Sequence, residues 1–164
     1  MLTVHIASSV GWLGAAVVVF ALAIAGLTAQ DNETVRAVYL ALDLAARLVL
    51  VPAAIISLLT GLLQAYVTRW GLFEHYWVLA KLLMNIFASI VLLLFLRVLG
   101  TLATIAAQPG WTSDDLAQLR EPTVVVHGVG ALFFLTAALA LSVYKPKGMT
   151  GYGWRKRRRQ AHVT

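Results

Sequence analysis

Two sets of polar side chains interrupt otherwise apolar stretches, and both are of types that do chemistry. His5 is followed by Ser8, Ser9 and Trp12. Seven residues make nearly two helical turns, so Trp12 stands almost directly above His5. Lys81 and Asn85, four residues apart, share one helix face. A neutral imidazole is a good iron ligand, which makes His5 the candidate metal ligand, and a nearby lysine can pair with a carboxylate such as a haem propionate. The plainer alternative makes His5 an interfacial residue and Lys81 a topology anchor. The second set is Asp43, Arg47, Arg97 and His127. Asp43 and Arg47 lie four apart and can pair. Ionisable side chains at a helix centre cost about 2.5–3.5 kcal/mol on insertion scales, so they should turn inward, around a polar pocket or pathway. Against that stands mutual neutralisation of Asp43 and Arg47, with Arg97 snorkelling to headgroups and His127 as a packing residue.

The elements that must position these groups are long and apolar. No Asp, Glu, Lys or Arg occurs in Met1–Gln30, Leu48–Thr68 or Pro122–Tyr144. A helix needs roughly 20 mostly apolar residues to cross a hydrocarbon core. Four spans are expected, at about 2–29, 33–67, 76–106 and 122–144. Asn32 is the expected cap of the second span. Pro52 should kink it by removing one N–H and crowding the carbonyl of Leu48. Asp43, Arg47, Ala54, Ser57, Gly61, Gln64 and Thr68 fall on one face of that helix, a small and polar stripe along which another helix can pack. The residues 68–74, including Arg69 and Trp70, read as an interfacial turn, and Thr112 to Leu119 as a short surface helix.

With 60% hydrophobic side chains among 164 residues, the chain reads as one all-α, integral-membrane four-helix bundle over residues 1–147. Residues 148–164 form a basic, flexible tail. The net charge of +6 sits mostly there and just before it, in Lys145, Lys147, Arg155, Lys156, Arg157, Arg158 and Arg159. In this setting it points to anionic lipid and not to nucleic acid. Arg69, Lys81 and the tail cations lie on one side, and the other two loops carry Arg36 and Arg120 against five carboxylates. Both termini should therefore be cytoplasmic. Cysteine is absent, which excludes disulfides, thiolate metal sites and cysteine nucleophiles. The signatures GxSxG, HExxH and the P-loop are missing as well.

The run His5-Ile6-Ala7-Ser8-Ser9-Val10-Gly11-Trp12, with Gly14 after it, resembles the first span of small bacterial haem-containing protoporphyrinogen oxidases and of the copper-resistance protein D family. Trp77-Val78-Leu79-Ala80-Lys81-Leu82 resembles the entry of the oxidase's lysine-bearing helix. Glu121-Pro122-Thr123 and Val143-Tyr144-Lys145-Pro146 resemble the flanks of its last helix. In that family a residue separates the Glu from the Pro, whereas here they adjoin. The chain is at least as similar to uncharacterised actinobacterial integral membrane proteins with the same four spans. The resemblance implies haem b, with His5 and Lys81 alone as the functional pair; helical spacing places Trp12 and Asn85 beside them as further cofactor-binding candidates. It also implies a bacterial plasma-membrane oxidoreductase, with quinone or porphyrin as reaction partner. Two other classes stay open. One is a small transporter using Asp43, Arg47 and Arg97. The other is a non-catalytic subunit of a homo-oligomer or membrane complex, packing through the ridge Ala7, Gly11, Ala15.

Overall fold

The computed structural model describes residues 2–68 and 71–161. Arg69 and Trp70 of the expected interfacial turn, and residues 162–164 of the tail, lie outside the described residues. In chain order the elements are α1 (Leu2–Thr28), α2 (Asn32–Ala45), a π-helical turn (Ala46–Leu50), α3 (Val51–Val67), α4 (Tyr76–Ala106), α5 (Ser113–Leu119), α6 (Thr123–Tyr144) and α7 (Gly151–Ala161). Four helical stretches, Leu2–Thr28, Asn32–Val67, Tyr76–Ala106 and Ser113–Tyr144, are long and apolar enough to cross a bilayer. Leu48, Leu59, Leu94, Phe133 and Val143 all point away from the bundle. Leaving such side chains in water costs about 25 cal/mol per Å² of apolar surface, whereas in lipid they are already solvated.

The cap of α2 is Asp31, one residue before the expected Asn32. Asp31 has extended backbone, and its carboxylate accepts the Thr34 N–H at 2.7 Å. That bond holds the Asp31 carboxyl below the usual carboxylate range. The cap therefore stabilises above the ordinary Asp value of 3.8 and is lost as pH falls through the lowered one.

The disturbance expected from Pro52 takes the form of a π-helical turn. The ladder before the proline widens to i→i+5, with the Val51 N–H reaching the carbonyl of Ala46. The extra residue rotates everything after it by about 100° relative to a regular helix. The single polar stripe expected from spacing is thereby split in two. Ala54, Ser57 and Gly61 face α1, where Ser57 bonds Ser9 and Gly61 lies against the His5 ring. Asp43 and Arg47 face Gly100 of α4 instead.

The bundle packs most tightly at its α5 end. Val35, Leu42, Ala106 and Leu119 are fully buried there. The Tyr39 hydroxyl donates to the carbonyl of Leu119, and the Trp111 indole N–H to that of Ile105 at 3.0 Å. Two arginines close helix C-termini. Arg120 donates to the Ala29 carbonyl at 3.1 Å, and Arg36 to the Gln108 carbonyl at 2.7 Å while lying over the Trp111 ring. Carbonyls left over at a helix end need such donors.

The opposite end gathers both chain termini, and it corrects one expectation. Residues 151–161 form α7 and not a flexible tail, because the α3–α4 turn supplies partners for it. Met149 bridges to His75, and the Thr150 N–H donates to the Glu74 carbonyl at 2.9 Å. A Cβ on Gly153 would stand 2.6 Å from that same carbonyl, so only glycine allows the approach. Lys156 pairs with the Glu74 carboxylate, and this hydrogen bond raises the Lys156 pKa above its ordinary 10.5. A raised lysine stabilises fully below its unfolded value and loses that stabilisation as pH climbs through the folded one. We therefore expect a spin-label distance from α7 to the α3–α4 turn to hold constant from pH 7 to about 10 and to lengthen above. Lengthening already near neutrality would show that Lys156 does not hold the helix.

Candidate functional site

The structure brings His5, Trp12, Lys81 and Asn85 around one cavity of about 60 Å³ near the termini end of the bundle. α1 supplies His5, Ser9 and Trp12, α3 supplies Ser57, and α4 supplies Lys81, Met84 and Asn85. Phe134 and Ser142 close it from α6. At 10–15 Å³ for each enclosed water, the volume corresponds to about four to six water positions, the scale of one six-membered ring with its oxygens.

The hydrogen bonds fix what His5 offers. Thr60 spends its only hydroxyl proton on the Ile56 carbonyl at 2.7 Å. Its oxygen must therefore accept at 3.1 Å from His5, whose Nδ1 carries the proton. That assignment follows from the network, and it leaves Nε2 of a neutral ring as a proton acceptor or ligand. Gly61 sets the ring's position, since a Cβ there would stand 3.0 Å from His5 Cε1. Ser8 donates to the His5 carbonyl at 3.0 Å, and Ser9 shares a hydrogen bond of 2.9 Å with the fully buried Ser57.

Three polar groups at this end lack protein partners among the described residues. Lys81 is half-buried and, among the described residues, has neither a hydrogen-bond partner nor a counterion. Asn85 Oδ1, one turn further along α4, is buried without a donor, as is Gln64 Oε1 on α3. Buried polar atoms are normally satisfied, so those that are not point to a missing partner. A group that satisfied both Lys81 and Asn85 would accept from one and donate to the other.

The second expected set does not come together. Arg47 and Asp43 pair at 2.9 Å with the arginine half exposed, and Arg97 points outward on α4. His127 stacks on Phe95 with ring centroids 4.1 Å apart, and its Nδ1 donates to the Thr123 carbonyl at 2.9 Å. It lines a separate, apolar cleft of about 270 Å³ whose wall contains none of Asp43, Arg47 and Arg97. The ridge of Ala7 and Gly11 is exposed, with open space over Gly11.

Ser57, Thr60 and Ser142 are site residues that spacing along single helices did not single out as such. Ser57 and Gly61 were visible as part of a stripe, but their pairing with α1 was not. Ser142, bonded to the Ala138 carbonyl, carries no local signal.

The family model described as "Predicted integral membrane protein (DUF2269)" matches residues 1–146. The chain belongs to that family. The match covers the four spans and stops before α7, which makes this a multi-pass integral membrane protein by family as well as by helix length. It lends no support to the resemblance to haem oxidases. No curated protein and no solved structure matches the chain.

Haem b can be tested against these residues. His5 Nε2 suits iron and Lys81 suits a propionate, so the donor chemistry is compatible. The space is not. Sites for sizeable ligands run to about 300–1,000 Å³, and a porphyrin belongs towards the upper part of that range. The cavity beside His5 holds about 60 Å³, well short of that range. The macrocycle does not fit beside His5.

Proposed function

We propose that this family member binds the oxygen-bearing head group of a membrane-soluble quinone or quinol. The observation that carries the reading is Lys81, a cation turned into the bundle with no counterion among the described residues, beside the unpartnered carbonyl of Asn85 and the proton-accepting edge of His5. A quinone carbonyl accepts from the Lys81 ammonium. A quinol hydroxyl donates to Asn85 Oδ1 or His5 Nε2, so the cavity suits both oxidation states. This keeps the redox class that the resemblance implied and replaces its cofactor with the ligand the space admits. By the excess of Lys and Arg at the termini end, that end faces the cytoplasm of a bacterial plasma membrane. The exposed Tyr152, Trp154 and arginines of α7 then lie against anionic headgroups.

Full-length protein in lipid nanodiscs should show a thermal midpoint that rises with the concentration of a tailless methoxy-methyl-benzoquinone. At a hundred times Kd the gain is about 2.7 kcal/mol. The same sample, supplied with haem, should show no Soret band. A Soret band lost on His5→Ala, together with no quinone-dependent stabilisation, would replace this reading with haem ligation at His5.

A further inference from the structure

The polar cavity has a neighbour. Trp12, Ala88, Phe134 and Leu135 line both it and the apolar cleft of about 270 Å³ between α1, α4 and α6. From Phe87 to Leu99 the cleft follows α4 for about 18 Å along the helix axis. It opens sideways towards lipid. Its sides carry the rings of Phe20, Phe87 and Phe95, and its floor on α6 is kept shallow by Gly128, Gly130 and Ala131. A cleft of this kind on a membrane protein always meets hydrocarbon, so its apolar lining alone says nothing specific. What distinguishes it is its direction, since one end begins at the wall that closes the head-group cavity.

We infer that this cleft holds the proximal part of an isoprenoid tail, so that the ligand is a prenylated quinone and not a short-chain or tailless one. This rests on the head-group reading above. With the ring oxygens at Lys81 and Asn85, a tail leaving the ring past Trp12 and Phe134 enters the cleft directly and continues out into the bilayer. The methyl-branched, unsaturated prenyl chain is stiffer than a saturated one and presents π bonds to the phenylalanine rings. It loses less conformational freedom on being held in a preformed slot.

The test compares three benzoquinones with the same ring: tailless, carrying two isoprene units, and carrying a saturated decyl chain. Affinity for full-length protein in nanodiscs is read from the ligand-dependent rise in thermal midpoint, corrected for partition into lipid. The prenylated compound should bind at least tenfold more tightly than the tailless one and more tightly than the decyl one. In Gly130→Phe the tailed-to-tailless ratio should fall towards one. A Cβ on Gly130 meets nothing within 4 Å, so the backbone there accepts a side chain, and Gly130 lines the cleft. Ala131→Leu, which narrows the same floor, provides a second blockage.

A tailless quinone that binds with no gain from the prenyl tail overturns the tail site and leaves the head site standing. Equal binding of decyl and prenyl compounds overturns the isoprenoid class in favour of any hydrocarbon chain. A tail gain that survives both Gly130→Phe and Ala131→Leu places the tail elsewhere. Failure of all three compounds to bind overturns the head-group reading, and this inference with it.

Discussion

Lys81→Met is expected to weaken quinone binding by roughly ten- to more than a hundredfold. The variant removes a charge-assisted hydrogen bond, worth about 1.5–3 kcal/mol, and each 1.4 kcal/mol is about a factor of ten in Kd. The unliganded protein should not suffer. Lys81 has no counterion among the described residues, so the substitution relieves a desolvated charge and leaves no orphaned partner behind. The thermal midpoint without ligand should stay level or rise while ligand-induced stabilisation is lost. Lys81→Arg keeps the charge but not the compact ammonium, and should fall between. Titrating a tailless benzoquinone against the three proteins in nanodiscs checks this. An unchanged Kd in Lys81→Met would remove the lysine from the site, whereas loss of folding in both variants would make it a structural residue.

The largest stability effect is expected at the other end, where Leu119→Ala should cost about 2–5 kcal/mol, the range for removing a buried leucine from a core that relaxes only partly. Leu119 is fully buried in one cluster with Val35, Leu42 and Ala106. Its own carbonyl is held by the Tyr39 hydroxyl, which limits how far the backbone can settle into the space left by the side chain. The thermal midpoint in detergent should drop markedly while quinone affinity, measured well below that midpoint, stays unchanged. A midpoint close to that of the parent would mean that α5 is loosely attached and that the α5 end is not the rigid part of the bundle.

How much of this was legible along the chain depended on the range of the interaction. The spans were readable because lipid imposes a length and a composition on every crossing helix, and Tyr76–Ala106 lies where the sequence predicts it. His5, Trp12, Lys81 and Asn85 were readable as candidates because polar residues are costly in such helices. Their convergence was not readable from spacing within each helix, because it depends on how α1 and α4 rotate about their own axes. Arg36 and Arg120, which the sequence reduces to charges on one side, turn out to close helix ends through contacts 72 and 91 residues away.

The π-helical turn shows the boundary most clearly. Pro52 announced a disturbance, because a missing N–H is a local fact. Whether the chain answers with a bend or with one extra residue in the ladder depends on what its neighbours will pack against. The answer turned Asp43 and Arg47 towards α4 and Ser57 and Gly61 towards α1. The tail follows the same rule. Its arginines marked one face of the membrane, but α7 forms because the carbonyl and carboxylate of Glu74, far back in the chain, reach Thr150, Gly153 and Lys156. By itself the sequence determined the medium, the number of crossings and the residue types able to do chemistry, since these follow from hydration and helical rise. Only the tertiary structure decided which of those residues share a cavity, because that depends on helix rotation and on partners dozens of residues apart.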